Sequence, residues 1–315
     1  MTDAVKIIAT GSFLPEKTLT NDQISEFVDT SHQWIVDRTG IHSRHLVSEG
    51  ETVKDISIKA AEDVLKNAGL KANDIDAVFV ATCAPNSGFP SVASHVQTEL
   101  GIHGPGMDIA AACGGFIYTA FTAERWMIHQ KWNKVLVIGA ETLSSYINWE
   151  NRGTCVLFGD GAGAVILERQ SGDPKQSRGF IDFHIGGSGV DKELLYGDNE
   201  NGAEMNGREV FKHAVREMQN SCDTLLSRNH YKAEDIDFVV AHQANQRIID
   251  AIGKQMKLPE DKMISTIATH ANTSAASIPL ALHASNQKGL FKNGDLIVTA
   301  AFGAGFTWGG ALLRW

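Results

Sequence analysis

One short motif occurs twice in this chain, 161 residues apart (Lys71 to Lys232), and any fold must accommodate both copies. Lys71-Ala72-Asn73-Asp74-Ile75-Asp76 runs into an apolar stretch at 77–80. Lys232-Ala233-Glu234-Asp235-Ile236-Asp237 runs into another at 238–240. An amphipathic helical pattern precedes each copy. In the first, Val53, Ile56, Ala60, Val64 and Ala68 follow a capping-box start at Thr52 and Asp55, and Gly69 closes the run. In the second, Val210, Phe211, Ala214, Met218, Cys222 and Leu225 recur in the same way. The ends correspond too. Phe158-Gly159-Asp160-Gly161-Ala162-Gly163 leads into an apolar run at 164–167, and Phe302-Gly303-Ala304-Gly305 leads into one at 310–313. Short apolar runs at 135–138 and 296–298 read as buried strands.

This layout predicts an α/β protein built from two similar halves, residues 1–171 and 172–315, packed in layers with a site where they meet. The length agrees, since 315 residues correspond to two units at roughly 150 residues each. A formal net charge of −9 argues against nucleic acid as a partner. No apolar run approaches the roughly 20 residues that span a bilayer, and residues 1–11 lack the basic start and apolar core of a signal peptide. A cytoplasmic protein without membrane association is expected. Cys83, Cys113, Cys155 and Cys222 form no CxxC pair, so neither a zinc ribbon, a dithiol redox site nor a disulfide is expected. Gly159-x-Gly161-x-Gly163 lacks the GxGxxG spacing and enters a strand-like run, so the dinucleotide fingerprint fails; no GxxxxGK[ST] loop occurs.

The candidate chemistry begins at Cys113. The run Ala110-Ala111-Ala112 leads to it, Gly114 and Gly115 follow, and a helical pattern of Phe116, Ala120, Ala123 and Met127 begins. A thiol at a helix start feels the positive end of the dipole, which favours thiolate. Taken alone, the segment fits an inert buried cysteine equally well. In the second half, His242 ends an apolar run, where α/β proteins place their sites. His270-Ala271-Asn272-Thr273-Ser274-Ala275-Ala276-Ser277 reads as a polar turn entering a helix. The 161-residue offset makes Ser274 the counterpart of Cys113, and so places Asn272 on a turn facing it. A core histidine and a helix cap are the bland readings of His242 and Asn272. Basic residues Arg208, Lys212 and Arg216 share one helix face at i, i+4, i+8, and Arg247, Lys254 and Lys257 lie on a second predicted helix.

Together these segments resemble the β-ketoacyl-acyl carrier protein synthase III family, the initiating condensing enzymes of bacterial fatty-acid synthesis within the thiolase-like superfamily. The resemblance spans essentially the whole chain. It rests on Trp34-Ile35-x-x-Arg38-Thr39-Gly40-Ile41, Ala111-Ala112-Cys113, Arg152-Gly153-Thr154 with the 158–163 loop, and on segments 242–247, 272–277 and 302–309. It implies a thiolase-like fold, two duplicated α/β halves in a layered αβαβα arrangement. It implies a Cys113, His242, Asn272 triad that condenses a short acyl group from acyl-CoA, acetyl by preference, with malonyl-acyl carrier protein. Backbone N–H groups of Cys113 and Ala304 would form the oxyanion hole. Thr30, Trp34, Arg38 and Arg152 would bind CoA, and Phe89 would reach the acyl pocket of a partner subunit. Arg208, Lys212, Gln243, Ala244, Asn245, Gln246 and Arg247 would dock the acyl carrier protein. No metal or redox cofactor is implied, acyl-CoA being a substrate, and a homodimer is.

Four departures from the family pattern stand out: Ala271 and Ala304 where glycine is common, Gly114 where alanine or serine is, and a short segment between Gly186 and Met205. Two related readings remain open on sequence alone. One is a condensing enzyme that primes a specialised pathway or takes longer acyl-CoA. The other is a non-catalytic partner subunit, although such subunits usually lose the nucleophile. A thiolase would need a second cysteine in the C-terminal half, where Cys222 falls inside the helical run.

Overall fold

Both copies of the motif fold into the same turn. Each forms a 3-10 turn, Ala72–Asp74 and Ala233–Asp235. The aspartate carboxylate accepts the N–H three residues back at 2.8 Å in both, Lys71 to Asp74 and Lys232 to Asp235. Asp76 and Asp237 then tie the following strand to its neighbour, accepting from Lys134 N–H at 2.9 Å and from Leu296 N–H at 2.8 Å.

The computed structural model describes residues 3–84, 89–198 and 202–315, so residues 199–201 of the segment expected to be short lie outside it. The first part of the chain supplies β1 (Asp3–Phe13), β2 (Thr18–Thr20), α1 (Asn21–Ile24), α2 (His32–Thr39) and β3 (Ser43–His45). There follow α3 (Val53–Ala68), β4 (Ala77–Ala81), α4 (Val92–Leu100), β5 (Gly106–Ile109) and α5 (Gly115–Gln130). Then come β6 (Lys134–Glu141), α6 (Arg152–Cys155) and β7 (Gly161–Ser171). The remainder supplies β8 (Gly179–Gly187), β9 (Leu195–Asp198), β10 (Gly202–Met205), α7 (Gly207–Arg228) and β11 (Phe238–Ala241). It ends with α8 (Gln246–Met256), α9 (Ile267–His270), α10 (Ser277–Gln287), β12 (Leu296–Gly303) and β13 (Thr307–Arg314).

Two large sheets repeat one topology. The first has order β1-β7-β6-β4-β5 and the second β8-β13-β12-β11. In each, the strand after the repeated motif is parallel to the next central strand, and the last strand returns antiparallel. The counterpart of β5 is reduced to a parallel bridge between Val239 and Met263. Five layers result. Ile56, Val64 and Val96 of α3 and α4 cover one face of the first sheet. Phe116, Ala120 and Met127 of α5 and Ile278 and Leu282 of α10 lie between the sheets, touching Phe79 and Val137 on one side and Ile297 and Ala301 on the other. Met218, Leu225 and Ile252 of α7 and α8 cover the outer face of the second sheet. Helices on both faces explain why the central strands are apolar throughout instead of alternating. The thiolase-like layering expected from sequence is thus present. Among the described residues, no helix is long and apolar enough to cross a membrane.

The repeat also corrects a sequence expectation. Each half enters its middle-layer helix through a 3-10 turn, Ala112–Gly114 before α5 and Ser274–Ala276 before α10. Their first residues share a left-handed backbone, φ 46° at Ala112 and 48° at Ser274. The offset here is therefore 162, not 161, because the connecting segments differ in length. The counterpart of Cys113 is Ala275, and Ser274 matches Ala112.

Candidate active site

Cys113 sits one residue into its turn, below the start of α5. Its backbone is approached so closely by the end of β12 that a Cβ on Gly303 would lie 2.6 Å from the Cys113 nitrogen. A side chain there would push the turn away. The other half reciprocates: a Cβ on Gly139 of β6 would collide with the carbonyl of Ala275. Each turn is seated on the other half's central strand.

Burial pushes the Cys113 thiol up to about 12, with the Glu141 carboxylate acting in the same direction and the Ser274 hydroxyl opposing both. The α5 dipole also favours thiolate, but a helix terminus contributes at most about 2 kcal/mol. Each tenfold change in acidity takes about 1.4 kcal/mol, so a rise from 9 to about 12 outweighs it. The resting group is a thiol, so the dipole's preference for thiolate is outweighed.

His242 follows β11 and is 2 % exposed. Its N–H donates to Ala300 O at 2.8 Å, and its ring Nδ1 meets Ser277 Oγ at 2.7 Å. Burial holds the ring down to about 3, so it is neutral at physiological pH. The Ser277 oxygen also accepts the Gln243 N–H at 3.4 Å, which holds the hydroxyl beside the ring. With Nδ1 engaged by Ser277, Nε2 is the ring nitrogen left for the cavity.

Asn272 is held by strand-like pairing to the segment before β7. Its N–H donates to Leu157 O at 2.9 Å, and Gly159 N–H donates to its carbonyl at 3.0 Å. Its side-chain oxygen accepts the Ser274 N–H at 2.9 Å, which leaves the Nδ2 hydrogens free to donate. The residue before it, Ala271, takes φ 56° and ψ −159°, a region almost confined to glycine. A buried alanine kept there is backbone strain spent on placing Asn272.

Cys113, His242, Asn272 and Ala304 all line one cavity of about 330 Å³. Ala304 keeps a negative φ, so alanine is accommodated there without backbone strain. The cavity continues outward between apolar walls that include Leu157, Met205, Val210 and Phe211. Trp34 and Met205 both pack against the buried cluster that contains Leu157. Its ring is flanked by two guanidinium groups, Arg38 at 4.2 Å and Arg152 at 4.9 Å from the centroid. Arg152 is itself anchored to Asp29 O at 2.8 Å, and Thr30 Oγ1 is buried without a hydrogen-bond partner. None of these four residues lines the cavity.

Phe89 does not line the cavity of its own chain; it projects outward, 98 % exposed. Arg208, Lys212, Arg216, Arg247, Lys254 and Lys257 are exposed, on α7, on α8 and at the end of α8. Arg247 lies 5.7 Å over the Phe211 ring, which joins the two helices near the cavity. Ala244 and Asn245 line the cavity, and Gln246 pairs with Asp250 and Ser265. Gln243 is a correction to the expected docking set. It is 0 % exposed, donates to Ala241 O and Ile264 O, and accepts from Thr266 N–H, so it is an internal strut. Cys222 is buried in α7 and takes no part in the cavity.

Sequence reading missed three side chains at this site: Cys83 and Ser277, and above all Glu141, wholly buried at the end of β6. The available signal was a charged residue closing an apolar run, at the strand end where α/β proteins carry chemistry.

Comparison with known proteins matches the segments that contain Cys113, His242, Asn272 and Ala304. Family models described as 3-oxoacyl-[acyl-carrier-protein (ACP)] synthase III match residues 107–189, and its C-terminal region matches residues 226–315. A β-ketoacyl-[acyl-carrier-protein] synthase III of Rickettsia canadensis is 44% identical, covering 98% of this chain and 99% of that protein. One from Hyphomonas neptunium is 45% identical, covering 98% of each. A crystal structure of 3-oxoacyl-[acyl-carrier-protein] synthase III from Aquifex aeolicus superposes with a TM-score of 0.95 at 43% identity, covering 99% of this chain and 100% of that one.

Proposed function

The chain belongs to the β-ketoacyl-[acyl-carrier-protein] synthase III family, and from that premise we propose how its residues divide the reaction. It is an acyl-transferring condensing enzyme that initiates fatty-acid synthesis, with acyl-CoA and acyl carrier protein thioesters as substrates. One observation carries the assignment: the Cys113 thiol, the free His242 Nε2 and the free Asn272 Nδ2 belong to one cavity.

In the first step Cys113 sulfur attacks the acyl-CoA carbonyl. The C–S bond to CoA breaks, and the thiol proton leaves with the CoA sulfur. The tetrahedral oxyanion is held by the Cys113 and Ala304 N–H groups. In the second step malonyl-acyl carrier protein enters. His242 Nε2–H and Asn272 Nδ2–H donate to its thioester oxygen as the C–C bond to carboxylate breaks and CO2 departs. The resulting enolate carbon attacks the acyl-Cys113 carbonyl, and the cysteine leaves to recover a proton. Each well-placed donor is worth about 3 kcal/mol at such an oxyanion. A neutral histidine suits this donor role, and its low pKa supports it. The loss of CO2 drives the sequence, so we infer that no metal or redox cofactor is needed.

We assign CoA recognition to Thr30, Trp34, Arg38 and Arg152. The flanked indole offers an aromatic face for a nucleotide base, and the buried Thr30 hydroxyl has a bond still to make. Docking of the acidic carrier protein falls to Arg208, Lys212 and Arg247, with Ala244, Asn245 and Gln246 at the cavity mouth. We further propose a cytoplasmic homodimer of chains with halves 1–171 and 172–315. The exposed Phe89 ring supports the pairing, since a fully exposed phenylalanine is stabilised by a partner's pocket. Acetyl is the proposed primer.

The test is intact-mass measurement after incubation with acyl-CoAs of two to twelve carbons. The expected result is one adduct, on Cys113, strongest for acetyl. A protein that acquires no acyl mass, or acquires it elsewhere, refutes the assignment.

A further inference from the structure

We propose that Glu141 is a positioning residue for the condensation: fixed in the first sheet, it grips the turn of the other half through Ser274 and Ala275. By doing so it sets where the Asn272 amide and the Cys113 thiol meet. The inference rests on the reading of Cys113 and Asn272 given above.

Glu141 ends β6 and is 0 % exposed. A buried carboxylate is tolerated only where donors replace the lost water. Here they come from two directions. From its own half, the Cys83 N–H lies 3.2 Å from both carboxylate oxygens, and the Thr82 hydroxyl lies 3.4 Å from one. From the other half, the Ser274 hydroxyl donates at 3.2 Å, and the Ala275 N–H also donates.

Ser274 is the hub of the arrangement. Its N–H orients the Asn272 side chain, its hydroxyl binds Glu141, and the same hydroxyl lies against the Cys113 thiol. Its left-handed φ of 48° is unfavourable for serine, so the turn needs an outside hold. Glu141 supplies one, and Gly139 on the same strand supplies the close seat beneath Ala275. Among the described residues, the titratable groups coupled to this carboxyl are the thiols of Cys83, on the loop after β4, and of Cys113. The second half contributes only a hydroxyl and an N–H. Burial raises the carboxyl to about 8, despite those donors.

Two variants separate shape from charge, Glu141→Gln and Glu141→Ala. In steady-state condensation with acetyl-CoA and malonyl-acyl carrier protein, Glu141→Ala is expected to lower kcat about 10- to 100-fold, as misplacement of reacting groups does, with KM within about twofold. Glu141→Gln, which keeps an acceptor for Ser274, is expected to recover much of that loss. Adding Ser274→Ala to Glu141→Gln is expected to cost no more than the worse single change. Wild-type kcat in Glu141→Ala, or a double variant whose losses multiply, overturns the proposal. Alkylation of Cys113 by iodoacetamide between pH 7 and 10.5 needs no acyl chemistry and covers variants that fail to turn over. Glu141→Gln is expected to move that profile to lower pH, because a carboxylate no longer opposes the thiolate; an unmoved profile overturns the proposal. A wild-type protein that is alkylated normally but never acylated would instead overturn the assignment of Cys113.

Discussion

The two turns that enter the middle-layer helices are the same piece of backbone put to different uses. Ala112 and Ser274 share a left-handed φ, and the residues after them, Cys113 and Ala275, begin the same descent into a helix. One turn exposes its second residue to the cavity as a thiol. The other buries its second residue, Ala275 being 1 % exposed, and works through Asn272, which lies before the turn. The strands beneath them differ in the same complementary way. β6 and β12 are both eight residues long and end in register, β6 at Glu141 and β12 at Gly303. Gly303 makes room for the Cys113 backbone, whereas Glu141 holds the Ser274 turn. A duplicated frame thus yields an asymmetric site because each half contributes what the other leaves out.

The largest effect that could break this comparison is loss of the thiol. Cys113→Ser is expected to reduce condensation by at least about 1000-fold while the protein stays folded, as removal of a nucleophile usually does; circular dichroism and turnover in parallel decide it. Next comes a transplant. Cys113→Ala with Ala275→Cys moves the thiol to the matching position of the other half, and intact mass after acetyl-CoA should show no adduct. An adduct would mean that the halves are functionally equivalent. His242→Ala and Asn272→Ala should each still acylate at Cys113 but lose about 100- to 1000-fold in decarboxylation of malonyl thioester, followed as released CO2. Rapid decarboxylation by both would remove the division of labour. The smallest effect is on stability. Ala112→Gly should stabilise by about 1 kcal/mol, since only the strained φ is relieved. Ser274→Gly gains the same relief but gives up a buried hydroxyl bond to the Glu141 carboxyl worth about 0.5–1.5 kcal/mol, so chemical denaturation should show no net gain.

Much of this was legible in the residues, and the reasons are specific. The repeated Lys-Ala-x-Asp-Ile-Asp motif marked the same turn and the same strand entry in both halves, because a short acidic side chain capping its own backbone is a local device. Cys113 and His242 were found because they stand at the ends of apolar runs, and Asn272 because the repeat set its turn against Cys113. The register between the halves was not legible. A one-residue slip in a connecting segment leaves every motif in place while moving the partner of Cys113 from Ser274 to Ala275. Gln243 was misplaced for a related reason: its polar neighbours Asn245 and Gln246 are only half-buried, and the turn after β11 alone folds Gln243 inward. The acidity of Cys113 was only half legible, because a helix start is visible in sequence whereas the burial that outweighs it is a tertiary property.

The reciprocal seating of the turns has a consequence for the integrity of the chain. Gly139 beneath Ala275 and Gly303 beneath Cys113 interlock the halves at the point where the chemistry occurs. A polypeptide severed in the connection between β7 and β8 would leave two fragments, one with the nucleophile but neither His242 nor Asn272, the other with both of these and no nucleophile. Neither would have a floor under its turn. Catalysis would then be an all-or-none gauge of reassociation, since no partial docking could restore both seats at once.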